Sequence, residues 1–348
     1  MSQTTTLHKH PQRPVEDILD FCTLLGSRMI ASGANLERVQ LAVERISRAY
    51  GLTDVSLYLL STNISLSARD NTGYYAIRQR SIPAVKLQMN RLQSLNSLCY
   101  SIAKHTPSPK DLRGLLDDAS NVDEYSDHIV LLGQICAMSL LCLLFGGWFR
   151  EVICVVMIIT VVHYTLRMIE IARIDKILTN ALTMWIATTI VFLLTGFGIS
   201  DNKPVLIITA TMMIIPGIPL VNAMRNILCG NEMNGILQTA RATVETFAIG
   251  MGIYVSILMF GKGTEFNAAI VSSMTNPIAL VILSFLASCF FGVMFGVKPR
   301  DLWLAGLGGA LTLAGMSIGF VLSFVAAHYI RGWRLATSHG YVPGGRRR

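Results

Sequence analysis

From residue 129 onward the chain is a succession of long apolar runs, and that feature limits the fold more than any other. About 20 apolar residues in helical form cross the ~30 Å hydrocarbon core of a bilayer. Seven stretches are candidates: 129–147, 151–170, 177–198, 204–223, 236–260, 274–296 and 302–329, each bounded by Gly, Pro or charge. A helix satisfies its own backbone in lipid, so all seven are read as α. The expected fold class is a polytopic α-helical membrane protein with about seven transmembrane helices and an N-terminal cytoplasmic α+β domain. Composition agrees. Only 14% of residues are charged and mean hydropathy is +0.51, whereas a soluble domain carries roughly a quarter charged residues. So apolar a chain is not disordered either.

Residues 1–128 read differently. The first 17 are polar with no apolar h-region, so no signal peptide is read. Ile18, Leu19, Cys22, Leu25 and Met29 share one side of a helix over 15–32, and Gly33 is a plausible stop. Asn35 can cap a second helix through Leu36, Val39, Val43 and Ile46 to Gly51. The period then falls to two in Val55, Leu57, Leu59 and in Ile64, Leu66, Ala68. Asp70-Asn71-Thr72-Gly73 is a turn signal before a returning strand at 74–80. A helix is expected over 85–102. Another is expected to open at Ser108, with Pro109 at its first position.

Charge suggests the orientation. Residues 1–128 hold 14 Lys and Arg against 13 Asp and Glu, and the remainder holds 15 against 8. With the N-domain inside, Arg167, Arg173, Lys176, Arg225, Lys298 and Arg300 fall in inside loops and Arg150, Lys203 and Lys262 in outside ones. That bias supports a cytoplasmic N-terminus. Seven spans place the basic tail (Arg331, Arg334, Arg346, Arg347 and Arg348) outside, against the rule. Either the last segment is not a full span or the architecture is incomplete. The basic residues flank spans instead of forming one face, so no nucleic-acid partner is expected. The seven cysteines are scattered with no C-x-x-C, and read as packing residues in a reduced compartment.

No G-x-x-x-x-G-K-[ST], H-E-x-x-H or G-x-S-x-G occurs, so no ATPase, zinc protease or serine hydrolase is indicated, and no metal or cofactor is called for. The strongest local signal is Ile214-Ile215-Pro216-Gly217-Ile218-Pro219-Leu220-Val221-Asn222-Ala223-Met224-Arg225. Two prolines three apart remove two backbone donors. A break of this kind survives in hydrocarbon only where protein or a water-filled cavity supplies partners. Discontinuous helices form sites in many secondary transporters; a packing kink is the plain alternative. Asn222 and Arg225 could present an amide and a cation to a carboxylate. In the next span Arg241 and Glu245 are four apart and can pair. A start near residue 236 puts Glu245 ~14 Å deep, where a charge should face the bundle interior. A structural pair between helices is the alternative. His163, Arg167 and Glu170 share a face near the inner end of the second span and read as snorkelling interface residues.

These residues together resemble the threonine/serine exporter (ThrE-like) family. The segment 213–225 followed by Gly230, Gly235, Arg241 and Glu245 carries the resemblance. Ser32-Gly33-Ala34, Arg38-Val39, the run from Ile46 to Leu52, and Phe145-Gly146-Gly147 support it. The resemblance covers about residues 15–260. It implies an inner-membrane exporter of small amino acids or, in a split two-protein form, of dicarboxylates such as succinate, driven by the proton gradient. It implies a cytoplasmic N-domain with about five helices, then a second half, fused or separate. Carried over, Pro216, Gly217, Pro219 and Asn222 fall in the signature, and Arg241 and Glu245 match its downstream basic and acidic positions. Asn226 stands where the family often has Asp, and Ser61-Thr62-Asn63-Ile64 replaces a frequent Pro-Thr-Gly-Ile. Residues 274–329 look like only the first two helices of a second half.

The expected division is a cytoplasmic α+β domain at 1–128, a five-helix domain at 129–260, two further helices at 261–330 and a basic tail at 331–348. The expected function is proton-coupled export of threonine, serine or a similar small carboxylate, with a substrate and ion pathway through Pro216, Gly217, Pro219, Asn222, Arg225, Arg241 and Glu245. The expected partners are that substrate, protons, membrane lipid, and a second-half membrane protein or a second copy. The alternative is a non-transporting or partner-dependent subunit (half-transporter) of a split exporter, including one for dicarboxylates such as succinate. No enzyme activity is expected.

Overall fold

The computed structural model describes residues 14–83, 85–122, 125–172, 174–261 and 276–316. Its N-terminal part opens with α1 (Pro14–Ala31) and α2 (Leu36–Ala49). Asn35 caps α2 by accepting the Arg38 N–H at 3.3 Å. Gly33 and Gly51 follow the two helices at φ +99° and +69°, the left-handed turn that glycine takes without a Cβ penalty. Leu36, Val39, Val43 and Ile46 are buried, and α2 packs on α1.

Three antiparallel strands follow in the order β1 (Thr53–Leu59), β2 (Asn63–Arg69), β3 (Tyr75–Ser81). Leu57 pairs with Leu66 and Ser67 with Ile77. The central strand buries Ile64, Leu66 and Ala68 beneath α1, so the period-two pattern has one covered face. Asp70 closes the second turn by accepting from the Thr72 and Tyr74 N–H groups.

Two helix starts differ from the sequence reading. Residues 85–88 are extended, because Lys86 and Gln88 donate to the Ala31 and Ser32 carbonyls at the end of α1. α3 therefore begins at Met89 and runs to His105. Ser108 accepts from the Asp111 N–H in a turn, and α4 starts only at Leu112, ending at Ser120. Pro109 sits in that turn and not at the helix start.

The apolar part comprises α5 (Asp127–Leu144), α6 (Phe149–Ile171), α7 (Lys176–Gly196), α8 (Lys203–Met212), α9 (Gly217–Leu228), α10 (Glu232–Phe260) and α11 (Pro277–Met294). A 3-10 turn at Pro299–Asp301 precedes a helix over 302–316. Buried residues form two separate clusters, one between Val15 and Leu116 and one between Met138 and Ala210. Among the described residues four helices are long and apolar enough to cross a membrane, or five if α8 and α9, bent by 57°, count as one. This is a multi-pass helical membrane protein. The expected seven spans are not reached among these residues. The fourth is a bent pair, α11 is short, and the end of the seventh and the tail lie outside the described residues.

Helix ends sort onto two faces. Asn234, near the start of α10, accepts the Ser61 N–H and donates to the Leu59 carbonyl, clasping the β1–β2 turn. The start of α3 donates to the Phe295 and Gly296 carbonyls after α11. Lys86 pairs with Glu170 at the end of α6. The start of α5, end of α6, start of α7, α9–α10 junction and end of α11 thus share the N-terminal part's face. On the opposite face Glu151 caps its own helix, accepting the Trp148 N–H and the Ser200 hydroxyl.

Candidate functional site

The prolines break the helix. α8 has 10 residues, ~15 Å, about half a hydrocarbon thickness. After it, Ile214 and Ile215 N–H groups both turn back to the Thr211 carbonyl, and Gly217 N–H reaches only to Ile215. Pro216 has no N–H for the Met212 carbonyl and Pro219 none for the Ile215 carbonyl, so the α8 ladder cannot continue. α9 then departs at 57° and folds back on the start of α10. Gly235 lies so close to the Ala223 carbonyl and Ile227 that a Cβ would overlap them. Pro216 is buried, Asn222 half-buried, and Gly217 and Pro219 exposed.

Glu245 is 2% exposed within α10, and its carboxylate is held by two cations. Arg241 Nε donates to Oε1 at 3.2 Å, the expected pairing one turn apart. Lys176 Nζ lies 3.0 Å from Oε2 as an ion pair without hydrogen-bond alignment. Lys176 is the first residue of α7, 69 positions away in sequence. α7 and α10 run parallel. Above the ion pair Gly252 meets the Ala181 carbonyl and Trp185 amide so closely that no side chain fits, and Ser256 bonds Thr189 at 2.8 Å. This register corrects the expected depth of Glu245. α10 is 29 residues, ~43 Å, well beyond a hydrocarbon core, and its first three turns project outward to pack on α9. Glu245 is level with the start of α7, not midway along the bundle. It faces neither lipid nor open solvent.

The α9–α10 pairing runs antiparallel, with Ile227 beside Gly235 and Asn226 bonded to Gln238 at 3.0 Å. Extending that register at equal rise brings Gly217 to the level of Glu245. The break and the buried carboxylate therefore lie at one height, whereas Arg225 lies more than two turns away. Arg225 is exposed and pairs with Glu37 of α2 at 3.2 Å. Of the predicted residues, the structure brings Arg241 and Glu245 together, sets Pro216, Gly217 and Pro219 at their level, and turns Arg225 toward the N-terminal part.

A second polar region contains His163, Arg167 and Glu170, and His163 does not snorkel as its position predicts. His163 is 7% exposed, eight residues or ~12 Å from the end of α6. Its Nδ1 bonds Gln134 Oε1 of α5 at 2.8 Å. Its Nε2 stands 3.5 Å from Asp127 Oδ2 and makes no hydrogen bond. Arg167 pairs with the other Asp127 oxygen at 3.2 Å. These groups line a cavity of about 510 Å³ roofed by residues 86–91 and 296–299. Sequence reasoning missed Lys176, Gln134 and Asp127, which lie on other helices. Their only local signal was a polar residue at the edge of, or inside, an apolar run.

The family described as "Putative threonine/serine exporter" matches residues 20–260. The "Probable succinate transporter subunit YjjP" of Escherichia coli (strain K12) is 22% identical over 245 residues, covering 69% of this chain and 93% of that protein. The protein of the same description from Klebsiella aerogenes is 21% identical over 255 residues, covering 73% and 96%. No solved structure matches the chain.

Proposed function

The chain belongs to the threonine/serine exporter family, and from that premise we propose that it is a proton-coupled secondary carrier of the inner membrane. It exports threonine, serine or a similar small carboxylate from the N-domain side. The single observation behind this reading is the buried Glu245 carboxylate, held by Arg241 and Lys176 at the level of a proline-broken helix. An acid enclosed by protein with two half-exposed cations can exchange a proton, or exchange its cations for a substrate's ammonium group, when the helices move. Arg241 then meets the substrate carboxylate, with Arg225 and Asn222 guiding it from the mouth. The carbonyls beside Pro216, Gly217 and Pro219 offer acceptors along the path.

The cytoplasmic placement of the N-domain rests on charge. Arg167, Lys176, Arg225, Lys298 and Arg300 lie on its face, against Arg150 and Lys203 on the other, among the described residues. We retain a seven-span topology with α11 and the helix beginning at residue 302 as the last two.

Excretion from cells bearing wild type or Glu245→Gln tests the reading. At least a tenfold loss of export at equal membrane abundance is expected. Unchanged, uncoupler-sensitive export by the variant would remove Glu245 from the mechanism.

A second reading is a partner-dependent subunit of a split exporter, including one for dicarboxylates. It is supported by the word "subunit" in both relatives' descriptions. The family match ends at Phe260, so α11 and the helix after it lie beyond it. Liposomes containing this chain alone separate the two. Substrate flux without a partner supports the carrier; flux only after adding a second-half protein supports the subunit.

A further inference from the structure

Four basic side chains and two acids line the 510 Å³ cavity between the N-terminal part and the bundle, and their pairing is incomplete. Lys86 is matched by Glu170 at 3.4 Å and Arg167 by Asp127 at 3.2 Å. Arg91 and Lys298 have no carboxylate partner among the described residues. Both are half-buried. Arg91 makes one long hydrogen bond, 3.4 Å to Gln88, and its Nε is buried without an acceptor. A half-buried cation without a counter-charge has lost part of its hydration, and two facing one cavity favour an anion between them.

The rim offers these cations little compensation. The Phe295, Gly296 and Val297 carbonyls at the end of α11 already accept from the Met89 and Asn90 N–H groups and the Tyr125 hydroxyl. Further in, the His163 Nε2 is buried 3.5 Å from Asp127 Oδ2 without hydrogen-bond alignment. A volume of several hundred Å³ with a few convergent polar groups is that of a small-molecule site.

We propose that this cavity binds a small dicarboxylate dianion, with Arg91 holding one carboxylate and Lys298 the other. Two unmatched positive charges balance two carboxylates. A zwitterionic amino acid would leave one cation unmatched and bring its ammonium among the others. The guanidinium of Arg91 suits a planar carboxylate in two-point contact, whereas Lys298 supplies a point charge. The site opens on the face that carries the N-terminal part, where a substrate for export would first be captured. The choice of a dicarboxylate rests on the second reading above, the split exporter for dicarboxylates; the presence of an anion site rests on two cations without a carboxylate partner among the described residues.

Calorimetric titration of the purified full-length chain in nanodiscs of zwitterionic lipid, with succinate as the probe, tests it. Saturable binding to wild type is expected. Arg91→Gln and Lys298→Gln should each weaken it at least tenfold, and Arg91→Lys and Lys298→Arg should recover part of the loss. Thermal midpoints of the ligand-free variants, within a few degrees of wild type, show that the fold is intact. Threonine should bind at least tenfold more weakly than succinate.

Absence of saturable succinate binding, or affinity unchanged in both glutamine variants, overturns the site. Threonine or inorganic phosphate binding as tightly as succinate overturns the dicarboxylate assignment. Displacement of succinate by anionic lipid alone, with no discrimination among dicarboxylates, makes the cavity a headgroup site and overturns it equally. Export that continues while both glutamine variants bind succinate normally sinks the cavity and leaves the transport reading standing. Charge-dependent succinate binding in a chain that exports nothing, with or without a partner, does the reverse.

Discussion

The ion pair between Lys176 and Glu245 joins α7 to α10 and yields a measurable coupling. Glu245 is almost wholly buried, but the Lys176 side chain is 52% exposed and Arg241, 63% exposed, remains as a second cation. Removing one partner of a fully buried pair costs about 3–5 kcal/mol, and an exposed pair contributes about 0.2–1 kcal/mol. One buried partner, one half-exposed partner and a surviving second cation place Lys176→Gln between these, at about 1–2 kcal/mol. The double-mutant cycle is the informative measurement, because it separates the pair from each residue's other contacts. Wild type, Lys176→Gln, Glu245→Gln and the double variant would be unfolded in mixed detergent micelles and followed by tryptophan fluorescence. Once Glu245 is neutral, the lysine should matter little, leaving a coupling of about 1 kcal/mol. Additivity within about 0.3 kcal/mol would show that the two side chains do not meet. The parallel α7–α10 register, and with it the corrected depth of Glu245, would then be wrong.

Other consequences are independent of that pair. Gly252→Leu should weaken the α7–α10 contact and lower the thermal midpoint, since overpacking costs about 1–3 kcal/mol and no side chain fits between the Ala181 carbonyl and Trp185 amide; an unchanged midpoint would refute the close approach. Asn234→Ala removes two hydrogen bonds to the β1–β2 turn, a loss of about 1–2 kcal/mol, and should speed amide exchange at residues 59–62. Burial pushes the Cys22 and Cys99 thiols up to about 12 from the usual 9.0, so folded protein at pH 8 should be alkylated at exposed Cys229 but not at these two. Because the folded state keeps those protons while the unfolded chain releases them, this contribution is intact below pH 9 and fades as pH rises from 9 toward 12; rapid labelling of Cys22 in folded protein would contradict it.

How much was legible follows from how far each feature reaches along the chain. Helix caps and turns depend on neighbours within four residues. Asn35, Gly33, Gly51 and the Asp70 turn therefore stand where their types and spacing place them. The Arg241–Glu245 pair is equally local, one helical turn. The apolar runs marked the helices because each segment meets lipid or its neighbours over its own length. One error arose where another element supplied the deciding partner: the start of α3 moved four residues because Lys86 and Gln88 bond to the end of α1. Another was local: Ser108 and Pro109 match a helix start, but the Asp111 N–H closes a turn on the Ser108 carbonyl and α4 starts one residue later, at Leu112.

The sequence by itself determined a multi-pass helical chain with a small mixed domain ahead of it, a helix broken at two prolines, and an acid four residues beyond an arginine. Hydrophobic periodicity, backbone donors and one-turn spacing are written along the chain. Tertiary structure alone decided how deep Glu245 lies, because that depends on the start of α7 and the overlong α10. It also decided that Lys176 completes the ion pair, that Arg225 meets Glu37 and lies away from the break, and that Arg91 and Lys298 line one cavity without a carboxylate partner among the described residues. Charges act through space, and which of them meet is settled only when helices far apart in sequence are packed side by side.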